Sequence, residues 1–361
     1  MKRMKPQWQR CEAKRLILAD HQGRSRSSGY RRRRVTREFE GSDCVNEIPT
    51  VDISRPSITS KLALDAACRD HGFFLLLGHG LDDLVDRTWA QTRRFFDADP
   101  ELKHGVSRSE QNPLGYYDRE LTKLRRDRKE VFDFMIPSGS LRRDRNRWPS
   151  ALPGFRETLT EFFDAFGRLA ADTLQLVHAT LELSARETAA HCGSPAVSTV
   201  RLNHYPVDDP VPEEERSELT PLGDLALGHH TDPGVLTLLL QDEVGGLQTK
   251  SQRDGWIDVP PEPGTIVVNL GDTLQVWTND RYRAAVHRVV PMTRTQRYSI
   301  PYFFNPQVDA VISPIAELCE EPPRFSPFTW REFIQARIDD NFSHLGRDDT
   351  QVDQFRVRRA H

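Results

Sequence analysis

Five side chains carry most of the chemical information in this sequence: His230, Asp232, His287, Arg297 and Ser299. In an extended strand, side chains at i and i+2 point the same way, so His230 and Asp232 project together. His287, from a distant strand, completes a set of two imidazoles and one carboxylate. Such a set grips one face of an Fe(II) ion and leaves positions open for substrate and O2. Arg297 and Ser299 repeat the i, i+2 spacing. They can hold a carboxylate beside the metal, because Arg makes bidentate charge-assisted bonds and Ser adds a hydroxyl donor. An iron-dependent oxygenase is the first reading of the chain.

Taken singly, each of these signals is ambiguous. With 12 histidines in the chain, about one His-x-Asp triplet is expected by chance. Alone it reads as an exposed turn, but Pro233-Gly234 closes it and the apolar run Val235–Leu240 follows. His229 competes with His230 as a ligand, and strand alternation turns it away from Asp232. His287, between Val286 and Arg288-Val289-Val290, suits a structural histidine as well as a ligand. Its standing rises with the intervening Gly245-Gly246-Leu247-Gln248, Trp256, Pro263-Gly264 and Asn269-Leu270-Gly271-Asp272, which build hairpins returning to one barrel mouth. Arg297 and Ser299 fit a surface edge strand equally well, although a buried guanidinium would be costly without an anion. Asn203 and Tyr205 form a further i, i+2 pair; the Tyr hydroxyl can bond the same carboxylate or the ring can simply fill the core.

The elements that must position these residues follow from pattern. Ile48–Ile53 alternates like a short strand, 58–72 reads as a helix with Leu62, Ala66 and Ala67 at helical spacing, and Phe73–Leu77 is a buried strand. A second helix covers 82–97. The Arg- and Lys-rich segment Tyr116–Phe134, strongly charged over 119–134, reads as a solvated helix, with the alternative that its cations flank the mouth and favour an acidic substrate. The stretch 155–190 carries Phe155, Leu159, Phe162, Phe163, Phe166, Leu169 and Leu174 at helical spacing, a long amphipathic helix. From Thr199 the texture changes to short apolar runs: 200–205, 226–231, 235–240, 246–250, 256–259, 265–269, 274–277, 284–290 and 297–304. Strands at this spacing indicate a sandwich or barrel. A last helix spans 329–343, its apolar face Trp330, Phe333, Ile334 and Ile338.

Together, Asn203-x-Tyr205, His230-x-Asp232, His287 and Arg297-x-Ser299 make the chain resemble the 2-oxoglutarate- and Fe(II)-dependent dioxygenases. The branch is that of isopenicillin N synthase and the plant gibberellin and flavonoid oxidases. The surrounding text agrees: His230-Thr231-Asp232-Pro233-Gly234-Val235, Gly245-Gly246-Leu247-Gln248, Val268-Asn269-Leu270-Gly271-Asp272 and Thr278-Asn279. So does the N-terminal half, with Ile48-Pro49-Thr50-Val51-Asp52, Gly72-Phe73-Phe74, His79-Gly80 and Phe95-Phe96. Where relatives often carry small polar residues before the distal histidine, this chain has Ala284-Ala285-Val286.

The resemblance implies an α+β fold with a jelly-roll (double-stranded β-helix) core flanked by helices. Its divisions would be an N-terminal region over 46–198, the jelly roll over 199–306 and a helical extension over 307–361, while the basic arm over 1–45 is read from composition and falls outside the resemblance. It implies Fe(II) on His230, Asp232 and His287, and 2-oxoglutarate on Arg297 and Ser299 with Tyr205 and Asn203 assisting. O2 would be consumed, ascorbate would serve as reductant, and a small organic molecule would be hydroxylated or desaturated with release of succinate and CO2. Phe303 keeps strand parity with Arg297 and Ser299, so it faces the substrate or fills the core. Two alternatives stay open: an Fe(II) oxidase of the same fold that does not use 2-oxoglutarate, and a binding relative without catalysis.

Composition limits the remaining choices. The chain has 361 residues and a net charge of -3, with 29% charged and 37% hydrophobic residues, which gives no global reason to expect nucleic acid or membrane partners. The odd, scattered cysteines contain no CxxC, as suits a reducing, cytoplasmic compartment; a monomer is expected. Residues 1–40, with Arg31-Arg32-Arg33-Arg34, read as a disordered solvated arm, with a transit peptide or a translation start near Val45 as lesser alternatives.

Overall fold

The computed structural model describes residues 48–358, apart from 56, 110, 124, 137–143, 252–254, 321 and 340–349. The basic arm and its alternatives therefore lie outside the described residues.

Along the N-terminal half run β1 (Thr50–Asp52), α1 (Ile58–Asp70), β2 (Phe73–Leu77), α2 (Asp82–Phe96) and the short α3 (Pro100–His104). Then come β3 (Gly115–Tyr117), a hairpin of β4 (Leu121–Thr122) and β5 (Arg125–Arg126), β6 (Glu130–Phe134), and the helices α4 (Phe155–Leu181) and α5 (Ala185–Ala190). The C-terminal half holds β7 (Thr199–Tyr205), β8 (Leu227–His230), β9 (Leu236–Gln241), β10 (Leu247–Ser251), β11 (Gly255–Asp258) and β12 (Thr265–Leu270). It closes with α6 (Asp272–Trp277), β13 (His287–Val289), β14 (Arg297–Phe304), β15 (Val311–Ile312), β16 (Phe328–Thr329) and α7 (Trp330–Asp339).

These strands form an eight-stranded major sheet, ordered β1-β2-β12-β9-β14-β7-β6-β3, and a four-stranded minor sheet, ordered β11-β10-β13-β8. Alternation sorts the side chains of the major sheet into two layers. Phe74 and Leu76 of β2, Val268 of β12 and Leu238 of β9 join a core with the apolar faces of α2 and α4. Phe73 and Leu75, Val267, Leu239 and Tyr205 point the other way, into a smaller core shared with Leu247, Ile257 and Val289 of the minor sheet. Two sheets packed face to face with helices outside make the jelly-roll core of an α+β fold.

Several local expectations are corrected. Residues 274–277 belong to α6, not to a strand, because Gly271 and Asp272 open a helical turn. The stretch 119–134 is not a solvated helix: it forms the β4–β5 hairpin and β6, and this region buries Asp118, Glu120, Arg126, Asp127, Lys129, Glu130 and Asp133. Those charges are tolerated because they pair: Arg126 with Asp209 at 2.5 Å, Lys129 with Glu120 at 2.9 Å, and Arg201 with both Glu120 and Asp133. The helix over 155–190 breaks after Leu181, where Glu182 turns left-handed, and resumes at Ala185. In α1 the buried face is Leu64, Ala67 and Cys68, while Leu62 is 66% exposed.

Candidate metal centre and anion clamp

His230 ends β8 and His287 begins β13, and the two residues are directly paired across the minor sheet. Residues opposite each other on antiparallel strands share a face, and the imidazole centroids lie 4.3 Å apart. Each Nδ1 is taken up by a backbone carbonyl two residues upstream, Gly228 at 2.8 Å and Ala285 at 3.0 Å. That fixes the ring orientations and leaves both Nε2 atoms as acceptors facing the same space. Asp232, just beyond β8, brings its Oδ1 to 3.6 Å from His230 Nε2 and 3.8 Å from His287 Nε2. The ligand atoms of all three lie within 4.8 Å of one another. His229 points away and is exposed, as strand alternation requires.

The other oxygen of Asp232, Oδ2, accepts the Thr237 hydroxyl at 2.6 Å and the Asn269 amide at 2.8 Å. Both donors stand on the major sheet, where Thr237 and Asn269 are register partners. Oδ1 is thus the oxygen turned towards the imidazoles. Burial, followed by the electrostatic influence of the neighbouring His287, pushes the His230 imidazole down to about 4, so near neutral pH it is unprotonated and its Nε2 lone pair is available. Although burial opposes it, the surrounding imidazoles and hydrogen bonds hold the Asp232 carboxyl well below the usual carboxylate range.

Backbone packing keeps this set in place. The amides of Gly271, Asp272 and Thr273 donate to the carbonyls of Val235, Asp232 and Gly234 at 3.0, 2.8 and 3.1 Å, so the loop after Asp232 hangs on the first turn of α6. Gly271 is needed for that approach: a Cβ there would sit 2.2 Å from the Gly234 carbonyl oxygen. On the other side, the β4–β5 hairpin presses on β8. A Cβ at Gly228 would meet the Thr122 side chain at 2.5 Å, while the Gly228 amide donates to Asp127 at 3.1 Å. Asp272 is buried beside Thr231, and burial raises its carboxyl to about 7 against the pull of Arg337.

Deeper in the major sheet, Arg297 pairs with Tyr205 and Ser299 with Asn203. These two i, i+2 pairs therefore form one patch. The guanidinium lies 4.9 Å from the Tyr205 ring centroid, and Asn203 donates to Ser299 Oγ at 3.3 Å. Arg297 is fully buried, and its Nε, Nη1 and Nη2 have no hydrogen-bond partner among the described residues; nor has Asn203 Oδ1. A buried cation with all donors idle costs several kcal/mol, roughly, unless an anion arrives, so the patch has the chemistry of a carboxylate receptor. The fit of a ferrous ion and a dicarboxylate to these residues is good on both counts: three convergent ligand atoms and an unmatched buried guanidinium. Phe303 is half-buried and lies directly opposite Thr237.

The sequence pattern brings together the residues that meet here and overlooks those that support them. Asn269 enters it only as part of a hairpin, although an Asn inside the apolar strand Thr265–Leu270 demands a buried partner. Thr237 and Arg337 carry no role in it. Phe73 reads as core alone, yet it meets the His287 ring edge-on at 5.9 Å.

Comparison with known proteins identifies the family. Residues 196–306 match the 2OG-Fe(II) oxygenase superfamily, and residues 48–151 match the non-haem dioxygenase in morphine synthesis N-terminal model. The chain is 33% identical to the 2-oxoglutarate-Fe(II) type oxidoreductase hxnY of Emericella nidulans, over 74% of this chain and 81% of that protein. It is 30% identical to gibberellin 3-beta-dioxygenase 4 of Arabidopsis thaliana, over 82% and 84% of the two chains. The crystal structure of JOX2 in complex with 2OG, Fe and JA superposes with a TM-score of 0.70 at 28% identity, covering 86% of this chain and 90% of that one. This chain belongs to the 2OG-Fe(II) oxygenase superfamily: it is a 2-oxoglutarate-dependent dioxygenase that acts on a small molecule.

Proposed function

We propose that His230, Asp232 and His287 hold the ferrous ion and that Arg297 and Ser299 receive the distal carboxylate of 2-oxoglutarate, with Tyr205 and Asn203 completing the receptor. The observation that carries this reading is the Arg297 guanidinium, fully buried with every nitrogen unmatched among the described residues. When bound, iron and 2-oxoglutarate supply the oxidising chemistry, which consumes O2 and yields succinate, CO2 and an oxidised C–H bond.

The chain's own residues do the rest. The carbonyls of Gly228 and Ala285 keep the imidazoles in the tautomer that presents Nε2. Thr237 and Asn269 leave one oxygen of Asp232 for the metal. The smaller core between the sheets excludes water around the receptor. Phe303, sharing a face with Thr237, forms a wall of the substrate space. Arg126 and Lys129 of the 119–134 stretch are buried and already paired with Asp209 and Glu120, so these two cations are not offered to an acidic substrate. No described helix is long and apolar enough to cross a membrane. Scattered cysteines support a cytoplasmic setting. Among the described residues, exposed large apolar side chains are spread over separate elements, apart from Ile58 and Leu62, which supports a monomer.

The test is succinate release from 2-oxoglutarate by the purified chain with Fe(II) and ascorbate, before any substrate is known. Succinate above the level of Asp232→Ala is expected. Production equal to that control sinks the assignment of these residues.

A further inference from the structure

Arg337 sits where the pattern of α7 calls for an apolar residue. The helix buries Trp330 and Phe333, and positions 330, 333 and 337 fall on one helical face. The Arg337 side chain follows that face inward and donates from Nη2 to the Thr231 carbonyl at 2.8 Å and from Nη1 to the Thr350 carbonyl at 2.8 Å.

Thr231 stands between His230 and Asp232, and its carbonyl belongs to the peptide that carries the Asp232 amide. The next carbonyl along, that of Asp232 itself, accepts the Asp272 amide at 2.8 Å. The two peptide units flanking the Asp232 Cα are therefore held by two different helices, α6 from within the jelly roll and α7 from the C-terminal segment. Both bonds from Arg337 are charge-assisted, roughly twice the strength of neutral ones. With its backbone fixed on both sides and Oδ2 held by Thr237 and Asn269, Asp232 has little freedom to swing. Arg337 lies outside both family-matched segments, 48–151 and 196–306.

We propose that Arg337 is a positioning residue of the metal centre: by fixing the Thr231–Asp232 peptide it aims Asp232 Oδ1 between His230 and His287, and through Thr350 it ties that aim to the docking of the C-terminal segment. The inference rests on the reading of His230, Asp232 and His287 as metal ligands.

The experiment titrates the full-length apo-protein with Co(II), read by its visible absorption, alongside the thermal melting of the apo-protein. Arg331 is the control, because it occupies the same helix but pairs with Asp309 at the surface. Arg337→Ala is expected to weaken Co(II) binding by about 10- to 100-fold, the effect usual for residues that support metal ligands. It should also alter the cobalt spectrum, which Arg331→Ala leaves unchanged. Arg337→Lys, with one compact donor group in place of a planar fork, recovers only part of the affinity. Arg337→Gln serves if the alanine variant does not fold, and it too should bind cobalt more weakly than wild type. Wild-type affinity and spectrum in a folded Arg337 variant overturn the proposal, as does a loss of affinity fully matched by a loss of apo-protein melting temperature and absent from Arg337→Gln. No cobalt binding by the wild type overturns the ligand assignment itself, a result distinct from both.

Discussion

Asn269 and Asp232 come from different layers of the fold, and the 2.8 Å hydrogen bond between them ties the major sheet to the loop leaving the minor sheet at the metal set. Asn269 is almost wholly buried and is fixed by its pairing with Thr237 and Phe73 on either side. Asp232 is thereby oriented by a strand that contributes none of the proposed ligands. Asn269→Ala should weaken Fe(II) or Co(II) binding by about 10- to 100-fold. Asn269→Asp, which sets a carboxylate against a carboxylate, should weaken it further. Metal titration of the apo-protein checks both, and affinity unchanged in Asn269→Ala would remove Asn269 from the account.

At Arg297, function and stability should part company. The guanidinium is buried with no hydrogen-bond partner among the described residues, and an uncompensated buried ion carries a desolvation penalty of several kcal/mol, roughly. Arg297→Met should therefore leave the apo-protein as stable as wild type or more so, while abolishing 2-oxoglutarate binding. Thermal melting with and without 2-oxoglutarate reads both effects. Ligand-dependent stabilisation that survives in Arg297→Met would place the receptor elsewhere.

Gly271 makes a prediction in the opposite sense. A methyl group at this position would drive into the Gly234 carbonyl at 2.2 Å and crowd the Asp232 carbonyl at 2.9 Å. Overpacking of this kind costs about 1–3 kcal/mol or more, and here the displaced backbone carries Asp232. Gly271→Ala should lower the melting temperature and weaken metal binding together, whereas Arg297→Met should separate the two readouts.

A pH dependence follows from Glu130. Its carboxylate is buried with Lys103, Tyr116 and His204 around it. Burial raises its pKa, but the hydrogen bond from His204 and the charge of Lys103 win and hold it below its ordinary value of 4.5. A depressed carboxyl contributes stability that is fully present above 4.5 and is lost as pH falls through the folded value. Wild-type stability should thus decline below about pH 4.5 partly through this group. Glu130→Gln should be less stable near neutral pH, since breaking a buried pair costs about 3–5 kcal/mol. The same variant should show a shallower acid decline. Urea unfolding across the acid range measures both slopes, and parallel slopes would exclude Glu130 as a contributor.

How much of this is legible in the sequence depends on the kind of constraint. His230, Asp232, His287, Arg297, Ser299, Asn203 and Tyr205 can be found because strand parity is local and their chemistry is distinctive. The jelly roll can be found because its strands are short and apolar. The 119–134 stretch misleads because its charges pair with residues far along the chain, such as Asp209 and Arg201, and periodicity is blind to such partners. Residues 274–277 mislead for a related reason: every residue of α6 is buried, so no polar face marks it as a helix. Arg337 looks like an ordinary surface cation, because nothing local shows that its partner is a carbonyl beside Asp232.

The pairing of β14 with β9 has a further consequence. The same two strands carry Thr237, which steadies Asp232, and Ser299, which lies next to Arg297 in the proposed receptor, and their register sets Phe303 against Thr237 and Ser299 against Gln241. The spacing between Thr237 and Ser299 is therefore set by backbone hydrogen bonds, and it frames the separation of the proposed metal site from the proposed receptor. A slip that kept the same face inward would move in steps of two residues, about 7 Å, far more than one methylene of a diacid. On the proposed reading the sheet acts as a ruler, so the fold itself limits the length of diacid that can bridge the two sites.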